Sequence, residues 1–459
     1  MTDPSFCSQL SLLELSTLIA RREVSPSEVV QDTLARIRRL DPVVGAFITL
    51  TEDAALEQAR VLDEECRRGQ LRGPLHGIPI TYKDNIAVGG ILTTANSRSH
   101  AQWIPPRDAE VVTHLNQAGA VSLGKVMLWE LAGGAPTPGS LYPSPRNPWA
   151  LDRSPGGSSS GSAAAVAAGF CLGSVGTDTG GSIRNPAASC GLVGLKPTFG
   201  SVSTSGVIPL SRTLDHVGPI TRTVADNALM LAAMRPAGLD PAALDPARCQ
   251  TADLRGLRLG VPWHMLDAFE YDADCRAAFA EALWVLSELG ADVVPIRMPI
   301  FEEASAWGGD ITAMDAYEQY GAHLDAHPEA FESAFSARIA QARHLADDRR
   351  AWLRDARARC LEAWQEVREQ IDIVLTPASR GAADRLDDTL KPGYGPRAEY
   401  TRMYNVSGMP SLAMPMGWSA DGLPLSIQLA ADHHQEALLY RAALAYEAAT
   451  GYTSRRPTL

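Results

Sequence analysis

The sequence predicts an α/β protein, and three observations carry that expectation. From about residue 75 to 230, short apolar runs such as "HGIPITYKDNI", "GAVSLGKV" and "GFCLGSVGTDTGG" are punctuated by Gly, Pro and Thr, which reads as strands alternating with small-residue helices. The pattern resumes beyond residue 250, where "LRGLRLGVPW" looks like a strand and "AAFAEALWVLSELGADVVPIRMP" like a helix followed by another strand. The 459-residue chain is 45% hydrophobic and 20% charged. It has no apolar run of about 18 residues, the length a membrane span needs.

Taken in order, residues 9–40 and 51–70 show helical periodicity, with Ser25 and Ser27 as candidate caps before "EVVQDTLARIRRL". An N-terminal helical layer over 1–70 follows. The strand-rich stretch 71–250 is the core, and 251–459 continues the same core. Within it, about 300–370 is largely helical and rich in Ala, Arg, Asp and Glu, an insertion flanking a site; "IDIVLTPAS" then restores a strand. The end, "PLSIQLAADHHQEALLYRAALAYEAAT", is a strand leading into a closing helix. No internal repeat and no long structureless linker interrupts this order. Length alone allows one elaborated core or two.

The formal net charge of −12 is scattered rather than blocked, which argues against a nucleic-acid partner. "MTDPSFCSQLSLLELSTLIA" lacks a basic leader, an apolar core and a small-residue cleavage site, so the expected compartment is the cytoplasm and no membrane is involved. Seven widely spaced cysteines without a C-x-x-C pair suit reduced thiols, and Cys190 reads as a small buried packing residue. The ten histidines show no metal-ligand spacing; the adjacent pair His433 and His434 reads as facing solvent. Neither a metal nor another cofactor is expected.

"SPGGSSSGSAAAVAAG" (154–169) has a linker-like first half, yet its alanines favour helix strongly. A second Ser-bearing Gly turn, "CLGSVGTDTGGSIRNPAASCG", follows with the same order of strand, turn and helix. Glycine lets successive N–H groups converge on one point, which makes an anion-binding nest. The phosphate version would carry G-x-x-x-x-G-K-[ST], and a dinucleotide site would carry G-x-G-x-x-G; both are absent. An oxyanion site with Ser182 as nucleophile is the better fit. The base is open between His76, His216 and a Lys made neutral by burial. Lys83 ends an apolar strand, where an ordinary Lys would snorkel to water.

These residues and motifs resemble the amidase signature hydrolases. The matching stretch is "PGGSSSGSAAAVAAGFCLGSVGTDTGGSIRNPAASCGLVGLKPTFG", supported by "HGIPITYKDNI", "LDHVGPITRTVADNALML" and "NVSGMPSLAMPMGWSADGLPLSIQLAA". The resemblance implies one large fold, a mixed central β-sheet covered by helices on both faces, with the helical insertion added. It also implies a Ser-Ser-Lys triad: Ser182 as nucleophile, Ser158 as bridging serine after a cis peptide from Gly157, and Lys83 as terminal base. The oxyanion hole would be the backbone amides of Thr179, Gly180, Gly181 and Ser182, and Asp178 and Arg184 would hold the loop. Ser159, Ser160 and Ser162 are expected as supporting or capping residues.

The resemblance leaves the amide open. One branch of the family supplies glutamine-derived ammonia to mischarged tRNA as part of a multisubunit complex, and its segment after "GK" is polar. Here Met127 and Trp129 occupy early polar positions, and Pro138 and Gly139 stand where Glu and Asn would be. Met127, Leu128, Trp129, Leu131 and Tyr142 would line an apolar pocket, with Met403, Tyr400 and Tyr404 as further candidates, although each also suits core packing. The favoured expectation is a stand-alone hydrolase of small, partly apolar amides, anilides or carbamates through a seryl acyl-enzyme. The alternatives are the glutamine-hydrolysing subunit of the tRNA-dependent complex and a non-catalytic scaffold, which would be expected to lose part of the triad. The resemblance favours a homodimer.

Overall fold

The computed structural model describes residues 6–269, 271–391, 393–395 and 397–459. The first five residues of the segment read for a leader lie outside them.

The strands are β1 (Phe47–Leu50), β2 (Pro79–Lys83), β3 (Val121–Val126), β4 (Gly173–Asp178), β5 (Val193–Lys196), β6 (His216–Thr221), β7 (Arg258–Val261), β8 (Asp292–Pro295), β9 (Ile373–Pro377), β10 (Ser411–Trp418) and β11 (Pro424–Ala431). They form one 11-stranded sheet in the order β1-β3-β2-β4-β6-β5-β10-β11-β9-β7-β8. The sheet is mixed. β2 runs parallel to β3 and β4, and β7 runs parallel to β8 and β9. Antiparallel ladders join β4 to β6, β5 to β6 and β10, and β11 to β10 and β9.

A strand covered on both faces reads as a continuous apolar run, because each side of the pleat meets a packed layer. β9, "IVLTP", is buried at all five residues. Its side chains split between two layers: Ile373 and Leu375 pack with Phe279 and Leu439, whereas Val374 packs with Phe301 and Trp307. The expected helices on both faces are therefore present. The 300–370 stretch supplies the helices Pro299–Ala326, Ser333–Ala340, Asp347–Arg354 and Ala356–Val367.

The first 70 residues contribute more than helices. Phe47–Leu50 pairs with β3 and forms one edge of the sheet. It is four residues long and only half-buried, too short for an alternation to stand out from its helical neighbours. At the helix Pro26–Val44, Ser25 is the N-cap: its side chain accepts from the Glu28 N–H and the Glu28 side chain returns the bond, a capping box. Ser27 lies inside that helix, so the cap expected there does not form. Among the described residues, no helix is long and apolar enough to cross a membrane.

Candidate active site

β2 and β4 are parallel neighbours, so their C-terminal ends open on the same edge of the sheet. Carboxyl ends of strands are where open α/β sheets expose their loops to ligands. Lys83 closes β2, and Thr177 and Asp178 close β4. The Lys83 side chain is fully buried rather than snorkelling, and its Nζ donates to Ser158 Oγ at 2.8 Å, Thr177 Oγ1 at 2.7 Å and the Thr177 carbonyl at 3.2 Å. Burial lowers its pKa to about 7, against the pull of Asp178 and Asp215 toward the charged form. A lysine in this state is half neutral near neutral pH and able to accept a proton.

Ser158 follows a cis peptide from Gly157, and the helix Ser160–Ala167 begins directly after it. The turn is tied on both sides. Its Ser158 carbonyl accepts from the Trp129 N–H at 3.1 Å, and the Ser159 N–H donates to the Ser182 carbonyl at 3.3 Å. Gly157 is small for a visible reason: a Cβ there would sit 2.0 Å from Cε2 of the Trp129 indole. Ser159 stands at the N-cap position but makes no capping bond; its hydroxyl donates to the Thr177 carbonyl at 3.2 Å. The Ser160 and Ser162 hydroxyls are buried without partners.

The turn carrying Ser182 is built around a buried ion pair. Arg184 Nη2 lies 3.0 Å from Asp178 Oδ1, both side chains fully buried. Asp178 also accepts from the N–H groups of Gly181 (2.7 Å) and Ile183 (3.0 Å) and from Asn405 Nδ2 (2.7 Å). Burial alone would raise the Asp178 carboxyl, but Arg184 and these donors outweigh it and hold it below the usual carboxylate range. Arg184 reaches on to the Thr401 carbonyl, Gln428 Oε1 and Asn405 Oδ1. The pair thus fixes the turn to the C-terminal third of the chain.

Of the four amides expected at the oxyanion hole, that of Gly181 is engaged by Asp178 Oδ1, because the turn folds it inward. The N–H groups of Thr179, Gly180 and Ser182 make no bond to other described residues, and Ser182 itself is partly exposed. Gly181 has φ of +127° and no room for a side chain: a Cβ would lie 2.3 Å from Thr401 Oγ1. Thr179 is steadied by its hydroxyl, which donates to Asp215 Oδ1 at 2.5 Å. Burial lifts the Asp215 carboxyl to about 6.

Most of the expected pocket residues belong to the core. Leu128 and Leu131 pack with Tyr320 and Phe335, Met403 and Tyr404 with Phe301, and Tyr400 donates its hydroxyl to the Phe269 carbonyl. Met127 is buried, and Tyr142 is half-buried beside Asn96. Trp129 alone of this group lines the cleft beside Gly157. That cleft has a cavity volume of about 30 Å³, and its other walls are Ser154, Asn185, Ser189, Ser379, Asp384, Tyr394 and Arg397 with intervening small residues. Its polar side chains come from the helix Arg184–Ser189 and from loops distant in sequence, which no local pattern brings together.

The histidines do not supply the base. His76 bonds the Leu62 carbonyl, and the His216 Nδ1 bonds the Leu214 carbonyl and, at 3.3 Å, the Asp178 carbonyl. His434 is exposed and His433 half-buried against Asp432. Cys190 is buried, and burial pushes its thiol far up. Thr177, Asp215, Asn405 and Asn185 were not singled out by sequence. Each lies inside a stretch that carries the resemblance, and only Asn405, between Tyr404 and Val406, stands out locally as a polar residue among apolar ones.

A buried lysine bonded to a serine, next to a tightly held Ser-bearing Gly turn, is an arrangement that could support serine-dependent acyl transfer. The family model described as Amidase matches residues 28–440. The chain belongs to the amidase family and is a hydrolase acting on amide C–N bonds. It is 38% identical over 487 residues to a subunit of the Glutamyl-tRNA(Gln) amidotransferase of Moorella thermoacetica, spanning 98% of each chain. The native peptide amidase of Stenotrophomonas maltophilia superposes with a TM-score of 0.82 at 32% identity, covering 98% of both chains. A protein from a vestigial complex linked to the origins of an s-triazine catabolic enzyme superposes at 0.87 with 30% identity, covering 98% of this chain and 100% of the other.

Proposed function

We propose that the protein hydrolyses the carboxamide of a small polar substrate, glutamine, through a seryl acyl-enzyme, as the glutamine-hydrolysing subunit of a tRNA-dependent amidotransferase. The observation that carries the chemistry is the 2.8 Å contact between buried Lys83 Nζ and Ser158 Oγ. Neutral Lys83 takes a proton from Ser158, Ser158 takes one from Ser182, and Ser182 Oγ adds to the carbonyl carbon. The N–H groups of Thr179, Gly180 and Ser182 stabilise the oxyanion. The relay then protonates the departing amine, the C–N bond breaks, and water attacks the acyl-enzyme to release the acid and free Ser182.

The choice of glutamine rests on the kinship with amidotransferase subunits over nearly the whole chain. Such a subunit works with partner chains in the cytoplasm. The second reading is a stand-alone hydrolase of small, partly apolar amides, a homodimer on the family's pattern. Trp129 against Gly157 and the likeness to a peptide amidase favour it. Turnover of glutamine, peptide amides, anilides and carbamates, with the Ser182→Ala protein as blank, separates the two. Release of ammonia from glutamine supports the first; activity on anilides or peptide amides with none on glutamine overturns it.

A further inference from the structure

The carboxylate of Asp215 stands at the catalytic edge of the sheet and takes no part in the proton relay. It directly precedes β6, which pairs with β4 so that His216 faces Asp178. That register brings Asp215 beside Thr179, the first residue after β4. Its Oδ1 accepts from the Thr179 hydroxyl at 2.5 Å, and its Oδ2 accepts from the N–H groups of Leu210 at 2.9 Å and Ser211 at 3.1 Å. The side chain is buried, and all three donors are neutral. It makes no ion pair among the described residues. Its charge is therefore shared with no counter-ion.

The loop that carries Asp215 also packs on the residues that follow Lys83. The Ile208 N–H donates to the Asn85 carbonyl at 2.8 Å, and Ile86 bridges Val207. Asn85 Nδ2 donates at 3.1 Å to Thr177 Oγ1, the same oxygen that receives Lys83 Nζ. Two carboxylates draw Lys83 toward its charged form, Asp178 and Asp215. Asp178 is neutralised by Arg184, so Asp215 is the uncancelled charge of the two. The other groups packed on this loop are engaged elsewhere. Asp315 accepts from the Ser211 and Thr213 hydroxyls, and Tyr320 donates to the Pro209 carbonyl. Arg212 bonds Gln319, Arg357 bonds the Thr213 carbonyl, and His216 bonds the Leu214 carbonyl. Asp215 is ionised above about 6, so it keeps its charge where Lys83 titrates, near 7.

We propose that Asp215 is a positioning residue with two effects: it stabilises the ammonium that Lys83 becomes during the relay, and it holds Thr179 so that the Thr179 N–H meets the oxyanion. In the first effect its charge opposes the burial that would otherwise leave Lys83 too weak a base. In the second it fixes a donor before the oxyanion forms, so that no reorganisation is needed at that moment. No bond forms or breaks at Asp215. The role rests on the reading of Lys83 as the base and is independent of which amide is hydrolysed.

The test is the pH profile of kcat/KM on whichever of glutamine, a peptide amide, an anilide or a carbamate is turned over fastest. The proteins compared are the unsubstituted chain, Lys83→Met, Asp215→Asn, Asp215→Glu and Thr179→Val. Asp215→Asn is expected to move the rising limb down by about one pH unit, the low end of what a nearby opposite charge does, and to lower the plateau at least about tenfold. Asp215→Glu keeps the charge and leaves the limb in place. Thr179→Val removes the hydroxyl but not the charge, so its plateau falls about tenfold and its limb stays. Asp215→Ser serves if Asp215→Asn does not fold, and its limb should move the same way. A plateau that falls in the neutral Asp215 variants while the limb stays where it was overturns the electrostatic effect, and Thr179→Val at the full rate overturns the effect through Thr179. If Lys83→Met abolishes the limb and Asp215→Asn leaves it unmoved, the relay stands and only this role of Asp215 falls. A limb that survives Lys83→Met overturns the relay, and the role of Asp215 with it.

Discussion

Lys83 Nζ and Ser158 Oγ lie 2.8 Å apart although 75 residues separate them in the chain. The contact exists because β2 delivers Lys83 to the sheet edge beside Thr177, and because the turn before the helix Ser160–Ala167 is held by Trp129 on one side and the Ser182 carbonyl on the other.

The pH dependence follows from that burial. With Lys83 lowered to about 7, kcat/KM should rise with pH through that value and flatten above it, since only the neutral amine accepts a proton. The sign for stability is the same: between about 7 and the ordinary 10.5 the unfolded chain binds the extra proton, so Lys83 makes stability rise with pH across that window. Lys83→Met should abolish the rising limb and leave the melting temperature at pH 7 unchanged or higher, measured by calorimetry alongside the pH–rate profile.

Gly157 should tolerate no side chain while Trp129 covers it. Gly157→Ala is expected to cost about 1–3 kcal/mol by overpacking and to lower activity at least tenfold by shifting Ser158. Combining it with Trp129→Leu should recover most of the stability, read by urea unfolding. A double variant no better than the single one would separate the Gly157 requirement from the indole.

Asp178→Asn leaves Arg184 buried with its charge uncompensated. A loss of about 3–5 kcal/mol in denaturant unfolding is expected, with activity falling in step because the Gly181 and Ile183 N–H groups bond different Asp178 oxygens and the amide keeps only one acceptor for them. In the unsubstituted protein, this contribution stands in full above the ordinary Asp value and is lost as pH falls toward the lower folded value.

The two Gly/Ser turns, the strands around them and the Lys83 position were legible in the sequence because each is local. A strand, a glycine turn and a small-residue helix fit inside about twenty residues, and the proposed catalytic side chains sit at their junctions. The cleft was not legible. Asn185, Asp384, Tyr394 and Arg397 meet only when the loops after β9 fold back on the helix Arg184–Ser189, and nothing in their own neighbourhoods marks them as a site. Conversely, Leu131, Tyr400 and Tyr404 have the composition of a pocket wall, but tertiary packing turned them into the core. The Gly181 amide differs from the expectation for a related reason, since the inward fold of the turn depends on Arg184 and Asn405, the latter from a segment far along the chain.

The proton relay is tested most directly by comparing kcat/KM for Lys83→Met, Ser158→Ala and the double variant on one amide substrate. Residues that act as one unit lose their effect once, so each single change should lower the rate by about a thousandfold or more and the double variant should be no worse than the poorer single. Losses that multiply in the double variant, or a single variant near the unsubstituted rate, would contradict the relay.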